Sequence, residues 1–583
     1  MRKLFHNTSI VSLPFLLILM LLSFSCKKEK TPSLVTPLPV VSGPDSIPTD
    51  PTTEASIGFF MNNWVPKTFT VPSVFSNRAA VTAAADVIVT INTGEVVTKI
   101  APTFFGNNTN PFIGQIGTDA VVTNHLTTFA PRIIRAPGGS LSDVYFFNGP
   151  KDVPPVDAPD TLLDGAGVKY KVFYWYGKNT ELWTQSLDNY YTLLQTTNSK
   201  GIITVNYGYA RYGRGPKPAE AAAHLAADWV RYDNGKTKYW EIGSESAGSW
   251  EAGYRIDVTK NQDGQPEFIS GGLYGQHFKI FADSMRKAAL EIGSTIYIGA
   301  QLIQTSNTFN MIDANWNSSY FTQAGNKADF YIVHDYYTPY NQNTNAAGIL
   351  STAFTTTQTD MNWMKTTTSN AGVTMKPIAM TEWNLFAAGS KQNVSHIAGV
   401  HAVLTLGELI KNKYGAAMRW DLANRWDNGN DHGLFSYDDE PSVAKWNPRP
   451  AFYHMYFFQQ CTGDRLLSSS VLGFSEITAI ATSFTSGQKG VVLVNTGTTA
   501  KIAELSFKYF TPGSKFYYYV LSGAGDNGEF SRQVVINGKG ASNGIAGGPS
   551  DYTSISMYST ATTGGIKIAV PERSVVFTIV DKR

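Results

Sequence analysis

Cysteine is nearly absent: Cys26 and Cys461 are the only two in 583 residues, so a disulfide framework is excluded as the source of stability. Charge is also scarce. Charged residues make up 16% and the formal net charge is +2, which excludes both a nucleic-acid-binding surface and a disordered acidic chain. The nine histidines form no His-Glu-x-x-His pair, and no phosphate-cradling glycine motif occurs. What is abundant is aromatic side chain, at 13%. A weakly charged, aromatic-rich protein suits an uncharged partner.

The one long apolar run opens the chain. Arg2 and Lys3 precede Ile10 to Leu22, and the stretch closes Leu22-Ser23-Phe24-Ser25-Cys26. It is too short to span a bilayer and reads as a signal peptide over 1–26. Its end resembles a bacterial lipobox, which implies acylation of Cys26 and an exported lipoprotein held at a membrane, periplasmic or at the cell surface. Residues 27–56 are rich in Pro, Ser, Thr and Asp without an apolar face and read as a flexible tether. Residues 57–85 carry Phe59, Phe60, Trp64 and Phe69 without a period.

From Val96 onward, strands and helices alternate. Strands are expected at 96–105, 132–136, 202–206, 238–242, 295–298, 330–334, 378–384 and 416–421, with helices between them, including a poorly periodic one over 309–325 and one near 356–369, and a last one near 449–460. In the helix that starts at Pro218, Ala222, Leu225, Ala226 and Trp229 make one buried stripe. Eight such units predict a (β/α)8 TIM barrel over 97–462. After 463 the texture is all β, predicting a C-terminal β-sandwich over 463–583, which the strand near 86–92 in the segment 57–96 would join. The fold class is therefore α/β with an appended all-β domain. Cys461 reads as a small buried hydrophobe.

Two barrel strands end in a carboxylate: Lys238-Tyr239-Trp240-Glu241-Ile242-Gly243-Ser244-Glu245, followed by Trp250, and Met380-Thr381-Glu382-Trp383-Asn384. Strand ends on one face of a barrel bring residues from distant chain positions together. A pair of carboxylic groups is what glycosidic cleavage needs, one to protonate the leaving oxygen and one to attack the anomeric carbon. Glu241, four residues back down its strand, reads as a structural partner for an interior cation.

These two motifs resemble the strand-4 and strand-7 motifs of the large clan of retaining (β/α)8 glycoside hydrolases. The likeness is greatest to the family 51 α-L-arabinofuranosidases, and less to families 39 and 44. Arg135-Ala136-Pro137-Gly138-Gly139 with Asp143, Val205-Asn206-Tyr207-Gly208, and His334-Asp335-Tyr336-Tyr337 support it. The resemblance implies Glu245 as general acid/base and Glu382 as nucleophile. It also implies His334 with Tyr336 or Tyr337 beside the nucleophile, and Arg135 and Asn206 on the pocket floor. The clan places Asn immediately before the acid/base, where this chain has Ser244, a shorter side chain with a single donor. Trp250, Trp383, Trp420 and Trp426 lie near strand ends, where indoles stack on sugar faces.

The implied substrate is a plant-type polysaccharide or its oligomers. An endo-β-glycanase acting on xylan, glucan or xyloglucan and a catalytically silent carbohydrate-binding protein are the alternatives. No cofactor is needed for this chemistry. Asp427-Asn428-Gly429-Asn430-Asp431-His432 has oxygen ligands but not the spacing of a calcium loop, and reads as a polar rim rather than a metal site.

Overall fold

Eight parallel strands close into a barrel: β1 Gly106–Asn108, β2 Ile133–Ala136, β3 Lys200–Val205, β4 Tyr239–Ile242, β5 Tyr297–Gln301, β6 Phe330–Tyr336, β7 Ile378–Asn384 and β8 Ala416–Arg419. The last pairs with the first through Met418 and Gly106. This computed structural model describes residues 48–583 apart from 306–312, 341, 387–390, 428 and 430. The leader, Cys26 and most of the tether lie outside the described residues.

The helices follow the expected order: α1 Ala120–Phe129, α2 Leu187–Thr197, α3 Pro218–Asp233, α4 Gly271–Glu291, α5 Trp316–Ala324, α6 Ala346–Asn370, α7 His396–Lys411 and α8 Pro450–Cys461. Their starts are written locally. Asp119 and Ser186 accept backbone N–H bonds as N-caps, and Pro218 and Pro450 occupy first turns. Helix α6 begins ten residues before the expected 356: Asn345 caps it by accepting the Gly348 N–H, and Ala346, Ile349, Leu350 and Ala353 make a buried stripe over its opening turns.

The first strand departs from expectation. Val96–Lys99 continues the strand Val87–Lys99, which pairs antiparallel with Arg465–Leu472 and parallel with Lys501–Lys508, leaving only Gly106–Asn108 for β1. That long strand sits inside an eleven-stranded sheet otherwise built from strands after residue 462, with one short strand at Phe75–Asn77. The sheet curls over a core of Val87, Val89, Ile91, Val491, Leu493, Phe516 and Val576. Its alternate residues, Val492, Val494, Val575 and Phe577, join the core that includes the barrel helices. Phe457 of α8 packs there with its ring centre 4.5 Å from that of Tyr519, the planes tilted by 51°. A strand buried on both faces reads as a continuous apolar run, which is why Val491-Val492-Leu493-Val494 does.

Residues 57–61, without a period in the sequence, close the bottom of the barrel. Ile57 and Phe60 pack with Ile133, Ile202, Tyr239, Phe330, Ala379 and Met418, and Phe59 stacks 3.9 Å from Tyr297. The barrel is thus plugged below and open only at the carboxyl ends of its strands.

Candidate active site

The open end is organised around Arg135, which is fully buried at the end of β2. Its Nε donates to Glu241 Oε2 at 2.6 Å, its Nη1 to Asn108 Oδ1 at 3.0 Å and Glu382 Oε2 at 3.1 Å, and its Nη2 to Ser244 Oγ at 3.2 Å. Glu241 is the interior partner of this cation, held also by Thr204 Oγ1 at 2.8 Å. One guanidinium therefore ties β1, β2, β4 and β7 together directly beneath the two strand-end glutamates.

Glu382 lies within β7 and faces the barrel axis. Tyr336 donates its hydroxyl to Glu382 Oε1 at 2.5 Å, so the carboxylate receives one donor on each oxygen. A bulge between Val333 and His334 brings His334 opposite Glu382 in the β6–β7 register. His334 Nδ1 then lies 2.9 Å from Glu245 Oε1 and 3.8 Å from Glu382 Oε2, and its Nε2 lies 3.0 Å from Thr381 Oγ1.

Glu245 stands on the turn that leaves β4, at φ 45°. A non-glycine residue in the left-handed region costs about 1–3 kcal/mol, and such residues cluster at functional sites. Gly248 N–H bonds the Glu245 carbonyl, Ser246 N–H bonds Gln301 Oε1 at 2.8 Å, and Trp250 Nε1 donates to Glu245 Oε2 at 2.9 Å. One oxygen of each glutamate and one ring nitrogen of His334 lie within 4.8 Å of one another. A divalent ion could be accommodated by that spacing alone. Arg135, bonded to Glu382 Oε2, already places a fixed cation there.

Burial pushes both carboxyls upward. For Glu245 this is outweighed by the bond and charge of His334, the Trp250 N–H and the charge of Arg135, leaving it below the usual carboxylate range. Glu382 stays above that range, because burial and the charge of Glu245 exceed the help of His334, Arg135 and Tyr336. The bond and charge of His334 are thus the chief opposition to burial at Glu245.

Three expected binding residues turn out to be structural. The Asn206 amide is committed to the protein, donating to Tyr145 O and Tyr212 OH and accepting from Tyr209 N–H. Tyr337 points into the helix layer, where its hydroxyl meets Thr357 Oγ1 at 2.9 Å. Trp383 is buried in the core between barrel and helices. Alternation accounts for the last two, since a strand that aims Glu382 and Tyr336 inward must aim Trp383 and Tyr337 outward.

Trp250 is half exposed at the mouth. Trp420 lies over Gly138 and Gly139, where an added Cβ would come within 2.7 and 2.5 Å of its ring, so only glycine admits that approach. Trp426 lies beneath the Arg532 guanidinium, 4.8 Å from its ring centre. In the 427–432 run, the Asp431 carboxylate faces Arg449 at 3.4 Å and accepts the Asp427 N–H, while the His432 carbonyl accepts from Arg419. Residues 428 and 430 of that run lie outside the described residues.

Sequence reasoning missed Glu251 and gave Asp143 no role. Asp143 is fully buried and pushed up to about 7 by burial, against bonds from the N–H groups of Gly208, Ser244 and Tyr207. Through the Ser244 N–H it fixes the turn that carries Glu245. Glu251 is raised well above the usual range by burial and by the charges of Asp143, Glu245 and Glu382. Its Oε1 accepts from Ser140 Oγ at 2.6 Å, and its Oε2 is buried without a partner among the described residues. The only signal for it in the sequence is an acid directly after Trp250.

No family model matches the sequence, and no curated protein matches it at the sequence level. Solved structures do match in three dimensions. A family 51 α-L-arabinofuranosidase from Thermotoga petrophila superposes with TM-score 0.60 at 15% identity, over 85% of this chain and 100% of that one. The α-L-arabinofuranosidase of Thermotoga maritima, solved with arabinose, gives 0.59 at 15%, over 85% and 99%. A Paenibacillus polymyxa xyloglucanase of family 44, solved with xyloglucan, gives 0.52 at 9%, over 85% and 100%. The fold is shared with these enzymes. It includes the closed eight-strand barrel and the β domain that follows it.

Proposed function

We propose that this protein is a retaining glycoside hydrolase in which Glu382 is the nucleophile and Glu245 the general acid/base. The observation that carries the reading is the approach of the two carboxylates to within 4.8 Å on β7 and the turn after β4. Inverting enzymes hold the pair roughly 6.5–9.5 Å apart to admit a water, whereas retaining ones need about 5–5.5 Å. Arg135 and Tyr336 leave Glu382 aimed and hydrogen-bonded for attack. Entry of a leaving-group oxygen beside Glu245 would displace His334 from it, which raises its proton affinity and lets it act as acid; the same carboxylate then activates water.

Likeness to α-L-arabinofuranosidases supports an arabinofuranosyl group as the sugar transferred, and likeness to a xyloglucanase supports the alternative of an endo-acting glycanase on plant-type polysaccharide. We extend the proposal to an exported lipoprotein anchored at Cys26, supported by the leader sequence. The test is a panel of aryl glycosides and plant polysaccharides with wild type and Glu382→Gln. Hydrolysis by the wild type with net retention, abolished in the variant, is expected. Undiminished activity of Glu382→Gln rejects the nucleophile. Sugar binding with no turnover by either protein instead points to the silent binder.

A further inference from the structure

The segment between β2 and α2 is far longer than the usual βα loop of about 2–6 residues. It folds as a layer of its own, with a hairpin, Thr161–Leu163 against Lys169–Lys171, and a strand, Trp175–Tyr176, paired with Tyr145–Phe146. Its inner side is anchored by Leu162, Tyr174 and Tyr176, all buried. Its outer side leaves large rings in water: Phe173 is 59% exposed and Trp183 44%, with Trp175 half-buried between them. The three form one cluster, with centroids 5.1 Å apart for Phe173 and Trp175, 5.8 Å for Trp175 and Trp183, and 6.2 Å for Phe173 and Trp183. Trp175 packs partly against the core, while Phe173 and Trp183 leave apolar ring area in water.

Two attachments place this layer on the rim of the site. At one end Gln115 Nε2 donates to Thr184 O at 2.6 Å and Gln185 N–H to Pro111 O at 2.7 Å, which ties it to the loop after β1. At the other, the hairpin turn at Gly165 abuts Ser249, where an added Cβ would lie 2.6 Å from the Ser249 carbonyl oxygen. Tyr170, on the same hairpin, has its phenol raised by burial and then by the charge of Glu251. The layer thus starts beside Trp250 and Glu251, on the loop that carries the acid/base, and the acid/base side is where a leaving group departs.

The charge of the surroundings selects the occupant. Glu181 is neutralised by Lys151 at 2.8 Å and by the Trp183 Nε1–H at 2.7 Å, and Lys178 lies over the Tyr232 ring. The ring faces, with Glu181 paired and Lys171 exposed two residues before Phe173, fit the C–H faces of a sugar chain. We propose that the 147–186 insertion is a carbohydrate-binding platform that holds a neutral polysaccharide on the leaving-group side of the cleaved bond. The platform rests on the glycosidase reading and makes the substrate a polymer.

The test is Phe173→Ala/Trp183→Ala, two exposed positions. Kinetics on an aryl glycoside and on the preferred neutral polymer are compared, with affinity electrophoresis of the same double variant in a Glu382→Gln background. Expected are unchanged aryl-glycoside kcat/KM and a polymer kcat/KM lowered about tenfold, with matching loss of gel retardation. Equal loss on both substrates, or none on the polymer, overturns the platform. So does sedimentation showing a dimer that the double variant dissolves, since the occupant is then a second copy. If no substrate is turned over, retardation of Glu382→Gln that disappears with the rings still supports the platform, and retardation unaffected by them overturns it.

Discussion

Arg135 Nη1 lies 3.1 Å from Glu382 Oε2 while Nε of the same guanidinium holds Glu241 at 2.6 Å. The nucleophile and a buried structural carboxylate therefore share one cation. Arg135→Met should leave two buried carboxylates unpaired and lower stability by about 3–5 kcal/mol, read as the midpoint of urea denaturation. Arg135→Lys should keep the charge but lose the fork, falling between the two in stability.

The two glutamates should separate by leaving group. A good leaving group departs without protonation, so Glu245→Gln should keep most of its kcat/KM on an activated aryl glycoside while kcat falls, because the glycosyl-enzyme then lacks its base, and should lose about 10²–10⁴-fold in kcat/KM on a poor one. Glu382→Gln should fail on both. Steady-state kinetics on a leaving-group series checks this.

His334 should govern the pH profile. Its bond and charge lower Glu245, and its charge lowers Glu382. His334→Ala removes both effects, so the acidic limb of kcat/KM, set by the nucleophile, and the basic limb, set by the acid, should both move to higher pH. A profile that only shrinks in height would assign His334 a purely structural part.

Ser244 donates one hydrogen where the resembling clan has an amide, and its oxygen already accepts from Arg135. Ser244→Asn should raise kcat/KM by up to about tenfold, the worth of roughly one net hydrogen bond. No change would mean that another group meets the sugar hydroxyl.

Behind the site, Asp335 is pushed up to about 6 by burial, and its bonded neighbour Asp360 is raised well above the usual range. A carboxyl raised on folding binds protons more tightly in the native state, so its stabilising contribution is full below the unfolded value near 4 and fades as pH rises through the folded value. Wild type should therefore lose stability as pH rises from about 4, through about 6 for Asp335 and beyond that for Asp360. Asp360→Asn, which keeps a donor toward Asp335 without the second charge, should flatten that slope in urea titrations.

The barrel was legible because most strands end at a turn and most helices have a stripe, and the carboxylate pair because both members stand at strand ends. Two of the overturned expectations share one cause. Tyr337 and Trp383 were grouped with the site by proximity in sequence, although period two places them opposite Tyr336 and Glu382. The Val333/His334 bulge, which decides what His334 faces, leaves no mark in the sequence. Asn206 looked like a ligand for sugar, yet its turn toward Tyr209 uses both ends of the amide. Glu251 escaped notice because its significance lies in three carboxylates converging from separate strands and loops.

The strand Val87–Lys99 also sets an order of events at the ribosome. Its hydrogen-bonding neighbours, Arg465–Leu472 and Lys501–Lys508, are made only after the whole barrel, a delay of tens of seconds at roughly 5–20 residues per second. Throughout that interval a β-branched segment waits with both edges unpaired. Nascent chains halted before residue 465 should therefore recruit holding chaperones that the finished protein does not need.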